Sequence, residues 1–200
     1  MVNQYTRIMN NIDTTKLSDE ELAFLSLRHK DVFEELVKRF QNRIYNFILR
    51  YCSGSNELAQ DLAQEVFVKA YFALSQFKPE RKFSTWIFTL ARNHTIDESR
   101  KKKLKYTSLD EPVLEATVAS KLANPHQELE QKDKEQVMKK AINKLDKPYR
   151  EVIILFYLQQ FSYQEIADIL KKPLGTIKSQ LNRAKDALKI ILLEYKEALL

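Results

Sequence analysis

FKPERKFSTWIFTLARNHTIDESRKKK, residues 77–103 of this 200-residue chain, mixes aromatic rings with positive charge in a proportion that a plain core helix does not need. Phe83, Ile87, Leu90 and Ala91 recur at helical spacing and can face a core, with Ser84 or Thr85 as the cap where the chain leaves the loop at Pro79. The remaining faces stay free for a ligand. From Lys78 to Lys105, nine Lys or Arg stand against three acids, a net of +6 that equals the formal charge of the entire protein. Rings interleaved with cations fit nucleic acid whose bases are exposed.

The rest of the composition points to helices. Only two Gly and five Pro accompany 44% apolar and 30% charged residues, which leaves little material for hairpin turns and predicts an all-α chain. The single cysteine, Cys52, has no partner for an internal disulfide and suits a reducing compartment as a small apolar side chain. The longest apolar run, Val152 to Leu158, is far shorter than the roughly 20 residues of a membrane span. With no signal-peptide pattern at the N-terminus, a soluble protein of the cytoplasm is expected.

Outward from the opening stretch, the chain divides into segments of distinct character. Ser18 precedes Asp19, Glu20 and Glu21, an acidic opening that suits a helix N-terminus. Phe33, Leu36, Val37, Phe40, Ile44, Phe47, Ile48 and Tyr51 follow the spacing of a long amphipathic helix, which Ser53-Gly54-Ser55 breaks. A helix over about 56–76 carries Leu58, Leu62, Val66, Ala70 and Ala73 on one face and Asp61, Gln64, Glu65 and Val68 elsewhere. Asp61 and Glu65 are neighbours four residues apart, so that face can be a solvated acidic surface, a docking surface, or half of a metal or acid/base site. No His or third carboxylate follows at a ligand spacing, and His29, His94 and His126 are scattered along the chain as packing or surface residues. Thr107 to Gln136 holds Pro112, Pro125 and seven acids against three lysines, the composition of a mobile acidic linker.

Order resumes at Val137, with Ala141 and Leu145 on one helix and Val152, Leu155 and Phe156 on the next, which has Pro148 near its first turn. Ser162-Tyr163-Gln164-Glu165 is a capping box opening a short helix. Lys171, Lys172 and Pro173 make a turn, and a long basic helix follows, giving a helix-turn-helix. At 100° per residue, Leu181, Ala184 and Leu188 fall within about 40° of Ile177 and mark the buried stripe. Gly175, Thr176, Ser179, Asn182 and Arg183 then face outward, flanked by Lys178 and Lys185. Arg takes a guanine edge and Asn an adenine edge, Ser or Thr serves base or phosphate, and Gly lets the backbone come close.

Two of these segments resemble one family. DLAQEVF at 61–67, with Phe77 and FSTWIFTLARNHTIDESR at 83–100, is similar to region two of bacterial RNA polymerase sigma factors of the extracytoplasmic-function (ECF) group. FSYQEIADILKKPLGTIKSQLNRAKDALK, at 161–189, is similar to their region four. The resemblance implies two small helical domains, 17–105 and 136–200, joined by a flexible acidic linker over 106–135. It also implies that Asp61, Gln64, Glu65 and Phe67 dock on core polymerase. Lys78, Arg81, Lys82, Trp86, Arg92, Asn93, Arg100 and Lys101 would hold the promoter element near minus ten as a separated strand. Gly175, Thr176, Lys178, Ser179, Asn182 and Arg183 would read the duplex element near minus thirty-five. Partners are core RNA polymerase, promoter DNA and, as often in the family, an anti-sigma factor; no cofactor, catalytic residue or membrane insertion is implied. Of Trp86 and Phe88, one is expected in the core. Gln180 and Asn182 stand where the family most often has Arg and His, which bears on the sequence preferred near minus thirty-five. The competing readings are a stand-alone helix-turn-helix regulator and a metal-dependent enzyme on DNA.

Overall fold

A computed structural model describes residues 13–52, 56–106 and 136–197. The Ser53-Gly54-Ser55 break and the linker over 107–135 lie outside the described residues, as does the side chain of Cys52. Among the described residues the chain is helical and has no strand.

The N-terminal module begins with α1, Asp19–Ser26, where Ser18 and Glu21 form a capping box that satisfies two helix-terminal donors. After a 3-10 turn, α2 spans Phe33–Cys52 and buries Phe33, Leu36, Phe40, Ile44, Phe47 and Ile48, while Val37 is half-buried and the side chain of Tyr51 lies outside the described residues. α3, Asn56–Ala73, buries Leu62, Val66 and Ala70 as expected, and also Ala59, Ala63 and Phe67. α4 spans Phe83–Tyr106 and buries Phe83, Ile87, Phe88 and Ala91. Edge-to-face rings lock α4 to α2: Phe40 with Phe83 at 5.4 Å and Phe47 with Phe88 at 5.2 Å between centroids. Arg39 ties the chain entry to α2, donating to the Thr14, Thr15 and Leu17 carbonyls and pairing with Asp19 and Glu35.

The cap expected at Ser84 or Thr85 is not the one used. α4 starts earlier, and the Phe83 N–H donates to Glu20 of α1 at 2.8 Å, so the helix N-terminus is satisfied by a carboxylate 63 residues away.

In the C-terminal module, α5 occupies 136–144, and α6, Lys147–Ile153, has Pro148 in its first turn and continues as a π-helical turn, Ile154–Leu158. α7 spans Tyr163–Leu170 and α8 spans Leu174–Glu197. The joints flanking α7 are left-handed, Gln160 at φ 59° and Lys171 at φ 52°. The second is the usual way to end a helix and swing the chain toward the next.

The sequence predicts two modules tethered by a strap, yet the structure closes them on one continuous core. Phe88 of α4 meets Phe161, just before α7, at 4.9 Å between ring centroids. Arg43 of α2 lies over Phe40, Phe88 and Phe161 and donates to the Gln159 carbonyl at 3.1 Å. Pairing across such sequence distances leaves no periodic trace, which is why the contact is invisible in the sequence.

Candidate nucleic-acid interface

The helix-turn-helix is built as its spacing predicts. Ser162 Oγ accepts from the Glu165 N–H, and the Glu165 carboxylate accepts from the Ser162 N–H at 2.8 Å, so α7 starts at a fixed point. Ile166, Ala167, Ile169 and Leu170 bury α7, while Ile177, Leu181 and Ala184 bury the near side of α8. The opposite side of α8 is presented to solvent: Gly175, Lys178, Ser179, Asn182 and Arg183 are exposed and Thr176 is half-buried. A Cβ added at Gly175 would meet nothing within 4 Å, so packing does not demand glycine there. Its absence of side chain leaves the N-terminal turn of α8 open to close approach from outside. Ser179 Oγ donates back to the Thr176 carbonyl at 3.0 Å, holding that hydroxyl ready on the outer face.

The second surface surrounds α4. Lys78 and Arg81 are exposed in the loop before it, where the Arg81 N–H closes a turn on the Lys78 carbonyl at 3.0 Å. Trp86 is half-buried, leaning on Phe77 and Phe83 at 5.6 and 5.5 Å, whereas Phe88 is fully buried. The expectation that one of the two rings belongs to the core thus falls on Phe88. Asn93, Arg100 and Lys101 are exposed, Lys101 pairing with Glu98 at 2.7 Å. Two of the expected DNA contacts are occupied by the C-terminal module in this arrangement: Lys82 pairs with Glu165 at 2.9 Å and Arg92 with Glu151 at 3.3 Å. Burial of the Glu165 carboxyl pushes its pKa up, but its hydrogen bonds from Ser162 and Lys82 outweigh that and leave it below the ordinary glutamate value.

The third surface is the outer face of α3. Asp61, Gln64 and Glu65 are exposed, but Phe67 is buried against the core, because it lies on the same stripe as Ala63 and Ala70. Its ring supports the face from beneath and is not itself a surface contact. The sequence reading also missed Phe72, one of the most exposed apolar side chains at 77%, one turn beyond the exposed Val68. Gln64, Val68 and Phe72 form an i, i+4, i+8 row, so the polar face continues into an apolar one.

Of the two readings of His94, packing or surface, the structure gives packing. It is buried on α4, with Nε2 2.6 Å from the Glu65 carboxylate and Nδ1 2.6 Å from the Lys69 ammonium. Glu98 joins them, and ligand atoms of Glu65, His94 and Glu98 lie within 4.8 Å of one another. The fold thus supplies the histidine that no local spacing offered. Lys69 nevertheless occupies the ring nitrogen through which a metal-bound imidazole donates outward, and it already brings the positive charge that the carboxylates need. The group is a hydrogen-bonded tie between α3 and α4.

Known proteins share this layout. Residues 36–105 match the family model Sigma-70 region 2, and residues 135–188 match Sigma-70, region 4. The ECF RNA polymerase sigma factor SigW of Bacillus subtilis (strain 168) is 34% identical over 167 residues, covering 80% of this chain and 88% of that protein. The ECF RNA polymerase sigma-E factor of Escherichia coli (strain K12) is 30% identical over 166 residues, covering 78% and 84%. Among solved structures, the sigma factor RpoE from Bartonella quintana, in complex with the anti-sigma factor NepR, superposes with a TM-score of 0.68 at 28% identity, covering 80% of this chain and 96% of that one.

Proposed function

Because the chain belongs to the ECF group of bacterial RNA polymerase sigma factors, we propose that its three surfaces divide promoter selection among them. Asp61, Gln64 and Glu65 on α3 dock on core polymerase, with Phe67 holding the face from within. Lys78, Arg81, Lys82, Trp86, Arg92, Asn93, Arg100 and Lys101 hold the minus-ten element as a separated strand. Gly175, Thr176, Lys178, Ser179, Asn182 and Arg183 read the minus-thirty-five duplex. The first two tasks fall to 17–105 and the third to 136–200, with 106–135 as the tether.

The observation that carries this reading is the outward row on α8, set back to back with buried Ile177, Leu181 and Ala184. A donor-rich row of this width suits the major groove, where each well-made bidentate base contact is worth about 1–3 kcal/mol of discrimination. Strand capture on α4 follows a similar balance: unstacking a base costs a few kcal/mol, and an aromatic platform returns about 1–3 kcal/mol per base. Opening is therefore near balance and depends on the polymerase to complete it.

Work of this kind is binding without catalysis, and it takes place in the cytoplasm, where core polymerase and the genome meet. None of the described helices is long and apolar enough to cross a membrane. Anti-sigma factors hold the solved relative, and the same class of partner suits this chain. Gel retardation of a genomic fragment library tests the reading: the chain with core polymerase should retain a specific subset, and the chain alone should retain almost none. Specific retention by the chain alone would favour a stand-alone regulator.

A further inference from the structure

We propose that His94 is a positioning residue for core docking: its neutral ring, standing between Lys69 and Glu65, fixes the Glu65 carboxylate on the outer face of α3 and keeps it from closing onto Lys69 as an ion pair. This inference rests on the reading of α3 as the docking face and deepens it.

Left to itself, α3 would arrange these groups differently. Glu65 and Lys69 are four residues apart with the acid nearer the N-terminus, the order in which a helix best pairs two opposite charges. Here the buried ring of His94, supplied by α4, stands between them. The Lys69 ammonium can only donate, so Nδ1, 2.6 Å from it, is the accepting nitrogen. The ring proton is then on Nε2, which donates to the Glu65 carboxylate at 2.6 Å. His94 is thereby a neutral imidazole whose tautomer is set by its partner on the far side.

The consequence falls on Glu65. Its side chain stays 55% exposed although one oxygen is anchored, and the second oxygen has no partner among the described residues. The anchor brings no charge into contact with it. Glu98, the neighbouring acid on α4, shows the alternative, since its carboxylate meets the Lys101 ammonium directly at 2.7 Å. With Asp61 exposed one turn before it, Glu65 presents an acidic oxygen already set in place to a cationic side chain of the polymerase, for which the guanidinium fork of an arginine is the best match. A side chain held in one rotamer beforehand has less freedom to lose on binding.

The test uses the full chain and core polymerase. His94→Gln carries an amide N–H out to the place of Nε2 and still donates to Glu65, whereas His94→Asn ends at the place of Nδ1 and meets only Lys69. Equilibrium binding to fluorescently labelled core polymerase should be about two- to tenfold weaker for His94→Asn, the cost of ordering one side chain anew. His94→Gln should recover most of that loss at a similar urea midpoint. In a Glu65→Ala chain, His94→Asn should cost no further affinity, a coupling that a merely structural role would not produce. In the wild-type protein at neutral pH, ¹H–¹⁵N correlation spectra of the imidazole nitrogens should show His94 protonated at Nε2 alone. A proton on Nδ1, equal affinities for the two His94 variants, or a loss from His94→Asn undiminished by Glu65→Ala would overturn the positioning role and leave the docking face standing. Wild-type affinity in Glu65→Ala alone would sink the reading of Glu65 as a docking residue and this inference with it.

Discussion

Arg183 and Asn182 stand adjacent on the exposed side of α8, one turn beyond Lys178 and Ser179. Replacing Arg183 with Ala should weaken recognition of the upstream promoter element by about 1–3 kcal/mol without changing affinity for core polymerase. Competition binding by holoenzyme to wild-type and mutated upstream elements measures it, and equal discrimination by both proteins would refute the role. Asp61 gives the cleaner test of the docking face, since it is exposed and has no part in the tie between α3 and α4, whereas Glu65 also holds buried His94. Asp61→Lys should therefore lower core-polymerase affinity while leaving the urea midpoint of the free chain within experimental error, and unchanged retention on immobilised core polymerase would count against it. At this scale the sequence was partly legible. The outward row of α8 followed from period alone, but Phe67 was misplaced on the surface and the contacts of His94 with Glu65 and Lys69 went unrecognised, because each is set by what lies across the core and not by its neighbours in the chain.

Helix α7 shows how a local signal and a distant one meet in a single element. Ser162→Ala should cost about 0.5–2 kcal/mol through loss of the cap, read as a lower urea midpoint. The pH dependence has a defined sign. Glu165 has a folded-state pKa below its unfolded value, so its contribution is present above the ordinary glutamate range and is lost as pH falls through the folded value. Stability should decline on that acid limb, and Glu165→Gln should flatten the part of the slope that Glu165 supplies; an identical slope in the variant would contradict the assignment. The capping box was legible because it is a four-residue pattern. The start of α4 was not, since its N-terminal donor is satisfied by Glu20 from a helix far upstream. The π-helical turn over Ile154–Leu158 likewise has no local signature, as its run of apolar residues is compatible with an ordinary helix.

Across the whole molecule, the fold class and the order of the segments were evident from composition and period, while the closure of one module on the other was not. Phe88 sits at that junction, touching Phe47 on one side and Phe161 on the other. Phe88→Ala should cost about 3–5 kcal/mol and loosen both modules together. In urea the wild-type chain should unfold in one transition by near-UV circular dichroism and by Trp86 fluorescence, because the modules share a core; separated midpoints for the two probes would argue for independent units. The proposed function calls for the opposite state, with each module free to reach its own promoter element once core polymerase is bound. The decisive measurement is transcription of fragmented genomic DNA by core polymerase with and without the purified chain, with RNA 5′ ends read by sequencing. The chain should create a limited set of start sites that share an upstream and a downstream element, and Arg183→Ala should blur the upstream one. Start sites no different from those of core polymerase alone would contradict it.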